Sequence, residues 1–152
     1  MCSTVTRLAK ALAGLGPEPL SREFTVDGFV KAAASSRLPA KLFLMDQKRV
    51  AGLGNVYAAE ALFRAGIHPA RPMNRLSADR ARVLYDAIRD VLREAVRSAK
   101  IAYNRPGKYT EAAEWPRAVY RREGETCLRC GARIRRIKQA GRSTYFCARC
   151  QR

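Results

Sequence analysis

Apolar positions recur at helical spacing through most of the chain and then give way to a short polar, cysteine-bearing tail. Thr25 is placed to cap a first helix, with Phe24 and Phe29 at staple spacing around it. Its apolar face continues through Val30 and Ala33 until "SSRLP" interrupts it. A second helix is predicted over Ala40 to Gln47, and a third over Asn55 to Arg64, stopped by Gly66 with Pro69 just beyond. The longest runs from Ser77, a capping residue, to Lys100. Leu84, Ile88, Val91, Leu92, Ala95 and Ala99 share one face of it, and Arg82, Asp86, Arg89, Arg93 and Arg97 the other. "GLGPEPLS", Gly14 to Ser21, reads as a linker, and Tyr103 to Trp115 as a linker or mobile loop. In the tail, "ARIRRIKQ" and "STYFC" are predicted strands with "AGRS" turning between them. No internal repeat is present. The pattern is mainly α with a small β-ribbon at the end.

One stretch resists the pattern. "VAGLGNVYAAEALF", Val50 to Phe63, is a helical run with two glycines and an asparagine set into it. A glycine in a helix interior costs roughly 1 kcal/mol relative to alanine. A break there lets the N-terminus of the following helix point outward, with its free N–H groups and positive partial charge. Gly52 and Gly54 put no side chain in the way of an anion approaching that end. Asn55 is placed either to cap the helix or to meet a phosphate oxygen. The residues alone support a phosphate clamp and a plain helix–helix turn alike.

Charge adds a partner class. The 152 residues carry 30 Lys/Arg against 13 Asp/Glu, a formal charge of +17, which attracts polyanions. Residues 117–152 alone hold eleven Lys/Arg and two Asp/Glu, and 41–100 hold twelve and six. Arginine dominates, and its planar fork suits phosphate. No apolar run reaches the ~18 residues of a membrane span, and the first residues lack a signal-peptide core. The expected setting is the cytoplasm of a bacterium, nucleoid-associated when bound, without a membrane partner.

In that setting cysteines favour metal over disulfides. Cys127/Cys130 and Cys147/Cys150 form two CxxC pairs separated by 16 residues, the spacing of a structural zinc site. Four thiolates leave no open position, so one structural zinc ion is expected, stabilising a segment with little core of its own. Arg142 would sit at the tip of the zinc-held hairpin, as a phosphate grip or as a solvated turn residue. Cys2 is left without a metal role. His68, ahead of Pro69 at a helix exit, reads as structural.

With these residues in view the chain resembles a known family. "KLFLMDQKRVAGLGNVYAAEALFRAGIHPARP", Lys41 to Pro72, is similar to the helix-two-turn-helix motif of the formamidopyrimidine-DNA glycosylase and endonuclease VIII family. "VYRREGETCLRCGARIRRIKQAGRSTYFCARCQR", Val119 to Arg152, resembles its C-terminal zinc finger, and "LGPEPLS" its interdomain linker. The resemblance implies a helix-two-turn-helix bundle over 21–102, a linker or loop over 103–118 and a zinc finger over 119–152, after a segment at 1–20. It assigns phosphate contacts to Asn55 and Arg142, support of the same site to Lys41, and adds Gly54 and Tyr57 to the DNA-binding positions. The implied partner is duplex DNA, damaged or abasic.

The family's chemistry belongs to an N-terminal lobe, where a terminal proline attacks the sugar's C1′ and a glutamate follows it as general acid/base. This chain opens Met1-Cys2-Ser3 and carries neither, so no catalytic residue is named. The family's Arg-Asp-Tyr/Phe loop does not map residue by residue onto "SAKIAYNRPGKYTEAAEW". The expected function is the damaged-DNA-binding half of a base-excision-repair glycosylase/AP lyase, its catalytic lobe supplied separately. The alternative is a non-enzymatic RNA- or ribosome-associated zinc-ribbon protein.

Overall fold

The structure, a computed structural model, describes residues 15–103 and 115–152. The Met1-Cys2-Ser3 start, most of the 1–20 segment and residues 104–114 of the expected loop lie outside the described residues. Among the described residues the order is α1 (Val26–Ala34), α2 (Ala40–Met45), α3 (Asn55–Ala65), a 3-10 turn (Met73–Arg75), α4 (Ala78–Tyr103), β1 (Arg135–Gln139) and β2 (Arg142–Phe146). No described helix is long and apolar enough to cross a membrane.

Local signals set the helix ends. Thr25 caps α1 by accepting the Gly28 N–H at 3.2 Å, and the Phe24 and Phe29 rings meet edge to face at 5.6 Å. Ser77 Oγ accepts the Arg80 N–H at 3.2 Å at the start of α4. Gly66 closes α3 in the left-handed conformation, φ 70°. Helix α2 stops at Met45, two residues before the expected Gln47. Asp46 ends it: its carboxylate accepts the Lys48 N–H at 3.0 Å and its carbonyl the Arg49 and Val50 N–H groups, folding the chain into a turn. The linker lies against that turn, with Gly16 N donating to Gln47 O at 2.8 Å and Ala51 N to Pro17 O at 3.1 Å.

Phe24, Phe29, Phe43 and Tyr85 anchor the main core, where Phe24 and Tyr85 stack at 4.8 Å and the Tyr85 hydroxyl donates to Phe24 O. On α4, Leu84, Ile88 and Val91 are fully buried as the pattern requires. Beyond Leu92 the stripe runs off the core: Ala95 is half-buried and Ala99 exposed. A second core lies between α3 and the tail, built on Ala59, Phe63, Val119, Cys127, Ile134 and Cys147. Helix α3 therefore feeds both cores, Ala58, Ala61 and Leu62 on one side and Ala59 and Phe63 on the other. Strands β1 and β2 pair antiparallel with Gln139 opposite Arg142. The turn is the two residues Ala140 (φ 48°) and Gly141 (φ 78°), the backbone signs of a type I′ hairpin. Arg142 is thus the first residue of β2, one step from the tip.

Candidate nucleic-acid interface

The glycine break does reorient the chain. Gly52 takes φ 78°, and its N–H donates to the Gln47 side-chain oxygen at 2.7 Å, which pins the turn. The N-cap of α3 is Gly54, with no side-chain cap bond, so Asn55 is the first helical residue and not the cap. The first intrahelical bond runs from Ala58 N to Gly54 O at 3.0 Å. The N–H groups ahead of it are the open positive end of the helix.

The side chain of Asn55 reaches across to the hairpin, donating to Ser143 O at 3.1 Å. Its Oδ1 is buried without a partner among the described residues. Beside it is a cavity of about 410 Å³ between α2, the glycine turn and the hairpin, lined by Lys41, Met45, Leu53, Gly54, Gln139 and Arg142 among others. Lys41 is 1% exposed and its Nζ donates to Thr144 Oγ1 on β2 at 2.9 Å. Burial, and next the charge of Arg142, pulls its pKa down to about 8. Lys41, Gly54, Asn55 and Arg142 therefore converge from three elements. Tyr57 does not join them: it is half-buried, edge to face with Trp115 at 5.7 Å. Asp46 also lines the cavity, and Arg49 Nε donates to its carboxylate at 3.2 Å.

The four cysteines form one cluster, their Sγ atoms all within 4.8 Å of one another. Cys127 and Cys150 are 3.8 Å apart and Cys130 and Cys147 3.5 Å. A tetrahedral zinc with bonds of ~2.3 Å sets its sulfurs about 3.8 Å apart, so the residues fit one structural zinc ion. Without metal, burial and the neighbouring thiols push Cys150 up to about 12. Cys127 falls to about 7 although burial opposes it, because the Cys130 and Arg129 N–H groups favour its thiolate. An ion that replaces the protons removes this conflict.

Several residues that brace the finger carry no local signal. Glu60, 1% exposed on α3, accepts the N–H groups of Ala118, Val119 and Tyr120 at 2.9, 3.0 and 2.9 Å. Gln151 accepts the Cys147 N–H and donates to Ile67 O. Arg129 of the first knuckle lies over the Phe63 ring at 4.5 Å and donates to Phe63 O at the end of α3. Arg80 donates to Gly66 O and Arg152 O. His68 is structural, its Nδ1 accepting the Ala70 N–H and its ring set against Phe146 at 4.6 Å.

Comparison with known proteins decides the family. Residues 15–105 match the formamidopyrimidine-DNA glycosylase H2TH domain, and 124–152 the zinc finger found in FPG and IleRS. The chain belongs to the formamidopyrimidine-DNA glycosylase family. It is 44% identical over 145 residues to the formamidopyrimidine-DNA glycosylase of Thermus thermophilus, covering 92% of this chain and 54% of that one. That of Azorhizobium caulinodans is 45% identical over 152 residues, covering 93% and 52%. The crystal structure of the Thermus thermophilus family member matches with a TM-score of 0.79 at 42% identity, over 92% of this chain and 55% of that one. A Lactococcus lactis formamidopyrimidine-DNA glycosylase in complex with DNA containing an abasic site matches at 0.84 and 36%, over 98% and 55%. This family member spans about half the length of the relatives it matches. As expected, its fold is mainly α, ending in a four-cysteine ribbon.

Proposed function

We propose that this chain grips the backbone of duplex DNA at a damaged or abasic nucleotide, as the DNA-binding half of a base-excision glycosylase/AP lyase. The observation that carries the reading is the cavity where Lys41, Gly54 and Arg142 meet beside Asn55. A phosphate there would accept from Arg142 and from the open N–H groups of α3, with the buried Lys41 ammonium behind. Three positive donors around one small cavity suit one phosphate better than a neutral ligand. Tyr57 takes an indirect role in this reading, steadying the start of α3 through Trp115. The helical unit at 21–102 and the finger at 119–152 act as one clamp, closed by Lys41–Thr144 and Asn55–Ser143. Base removal and strand cleavage are assigned to no residue of this chain; they need the proline- and glutamate-bearing lobe that the resemblance implies.

The test is a native gel with the zinc-loaded chain and a duplex carrying one abasic-site analogue, run beside borohydride trapping on a natural abasic site. The expected result is a shifted band that prefers the abasic duplex, without a covalent adduct. Asn55→Ala and Arg142→Ala should each weaken binding by roughly tenfold, the scale of one charge-assisted contact, with the far-ultraviolet spectrum unchanged. Equal affinity in both variants would remove the clamp. Preference for structured RNA over the abasic duplex would favour the ribosome-associated alternative.

A further inference from the structure

The finger's hairpin has two faces, and only one meets the helices. Residues directly opposite in an antiparallel pair share a face. Thr144 and Phe146, both buried, mark the inner one. Arg136, opposite Tyr145, and Lys138, opposite Ser143, lie on the outer one and are exposed. The ring of Tyr120 packs edge to face on Tyr145 at 5.3 Å. Two guanidinium groups sit over that same ring, Arg117 at 5.4 Å and Arg121 at 5.6 Å. The Tyr120 backbone is fixed by Glu60, so the group stands on a rigid base. Arg121 adopts φ 58°, a left-handed conformation that an arginine takes only at a cost.

Ion pairing does not explain the cluster. Among the described residues no carboxylate lies within 4 Å of Arg117, Arg121 or Lys138, and Arg136 has only the exposed Glu123, at 3.9 Å. Four cations are gathered here by aromatic rings and not by acids. Their charge is left for an external anion, and planar groups lie among them.

We propose that this outer face is a second nucleic-acid site, built for an unpaired strand. Arg136 and Lys138 track its phosphates, and the layered guanidinium and tyrosine groups stack its bases. A strand offers both phosphates and open ring faces, whereas a duplex hides the faces of its bases and an acidic peptide has none. The site lies on the opposite side of the hairpin from the cavity and is independent of the clamp.

The experiment uses the zinc-loaded full chain, a fluorescein-labelled oligothymidylate, which has no structure of its own, and the abasic-analogue duplex. The variant is Arg121→Gly combined with Lys138→Gln; glycine relieves the left-handed backbone, so a folding defect is not expected. Oligothymidylate affinity should fall roughly tenfold, with the salt slope shallower by about 1.4 for two lost contacts. Duplex affinity should stay within about twofold, and Asn55→Ala should give the reverse pattern. Loss of strand binding in the double variant with no duplex binding by any form would sink the clamp and leave this site standing. Equal losses on strand and duplex would make the face part of the clamp and overturn the proposal. So would an unchanged oligothymidylate affinity, or its displacement by polyglutamate at matched charge.

Discussion

Replacing Glu60 tests how the finger is held. Its carboxylate accepts three backbone N–H groups, one buried and two partly buried. An unpaired buried donor costs about 1–3 kcal/mol. Counting the buried one in full and the other two at half weight, Glu60→Ala should cost about 3 kcal/mol. Glu60→Gln keeps the volume and one acceptor but turns an N–H donor toward another, for about 1–2 kcal/mol. Both losses fall inside an ordinary domain stability of about 5–15 kcal/mol, so the variants should still fold. Trp115, the one tryptophan of the sequence and 5% exposed, reports the transition by fluorescence. With a urea slope of about 1.5 kcal/mol per molar, the alanine midpoint should drop by roughly 2 M. A midpoint shift below about 0.3 M for Glu60→Ala would mean that water satisfies these groups and that the buried carboxylate is not a brace.

Lys41 carries a prediction of sign. Its pKa is about 8 when folded and about 10.4 in an unfolded chain, so across that window the unfolded state binds more protons. Stability should therefore rise between about pH 8 and 10 while duplex affinity falls as the cation is lost. Lys41→Met should flatten both trends, and a stability that drops across the window in the native chain would contradict the buried ammonium. Chelation with a strong zinc ligand should release one equivalent of metal per chain and abolish duplex binding; retained binding in the metal-free protein would uncouple finger from clamp. Gly16→Ala should cost about 1–3 kcal/mol, because a Cβ there would lie 2.5 Å from the Arg49 carbonyl carbon, a backbone atom that cannot give way; an unchanged urea midpoint would show the linker to be loosely docked.

What the sequence discloses here is what is local. The Thr25 cap, the Gly66 stop, the 16-residue gap between cysteine pairs and the burial of Leu84, Ile88 and Val91 all depend on neighbours a few residues away. The early stop of α2 is hidden because Asp46 is compatible with a helix until its carboxylate captures the Lys48 N–H. Ala99 fits the apolar stripe, but nothing packs against that end of α4 to cover it. Glu60 reads as an ordinary helix-surface acid. Its partners lie about sixty residues away, and no pattern within one helix announces them. Lys41 is placed by resemblance, yet its burial and its Thr144 partner, 103 positions on, need the folded chain. Trp115 reads as loop from periodicity and is instead a core residue of α3's flank.

Helix α3 spans 11 residues, about 16 Å at 1.5 Å per residue. At its far end Arg129, between two of the cysteines, holds its last carbonyls; at its near end lies the anion cavity. Two ligands seated at the ends of one strut must obey reciprocity: whatever free energy the metal lends to the anion, the anion returns to the metal. Zinc should therefore leave the DNA-bound chain more slowly than the free one, and by the same factor by which metal removal weakens the grip if only the off-rate changes. Nucleic acid would then act as guardian of the metal, and a cell short of zinc would lose it first from the molecules not engaged on a strand.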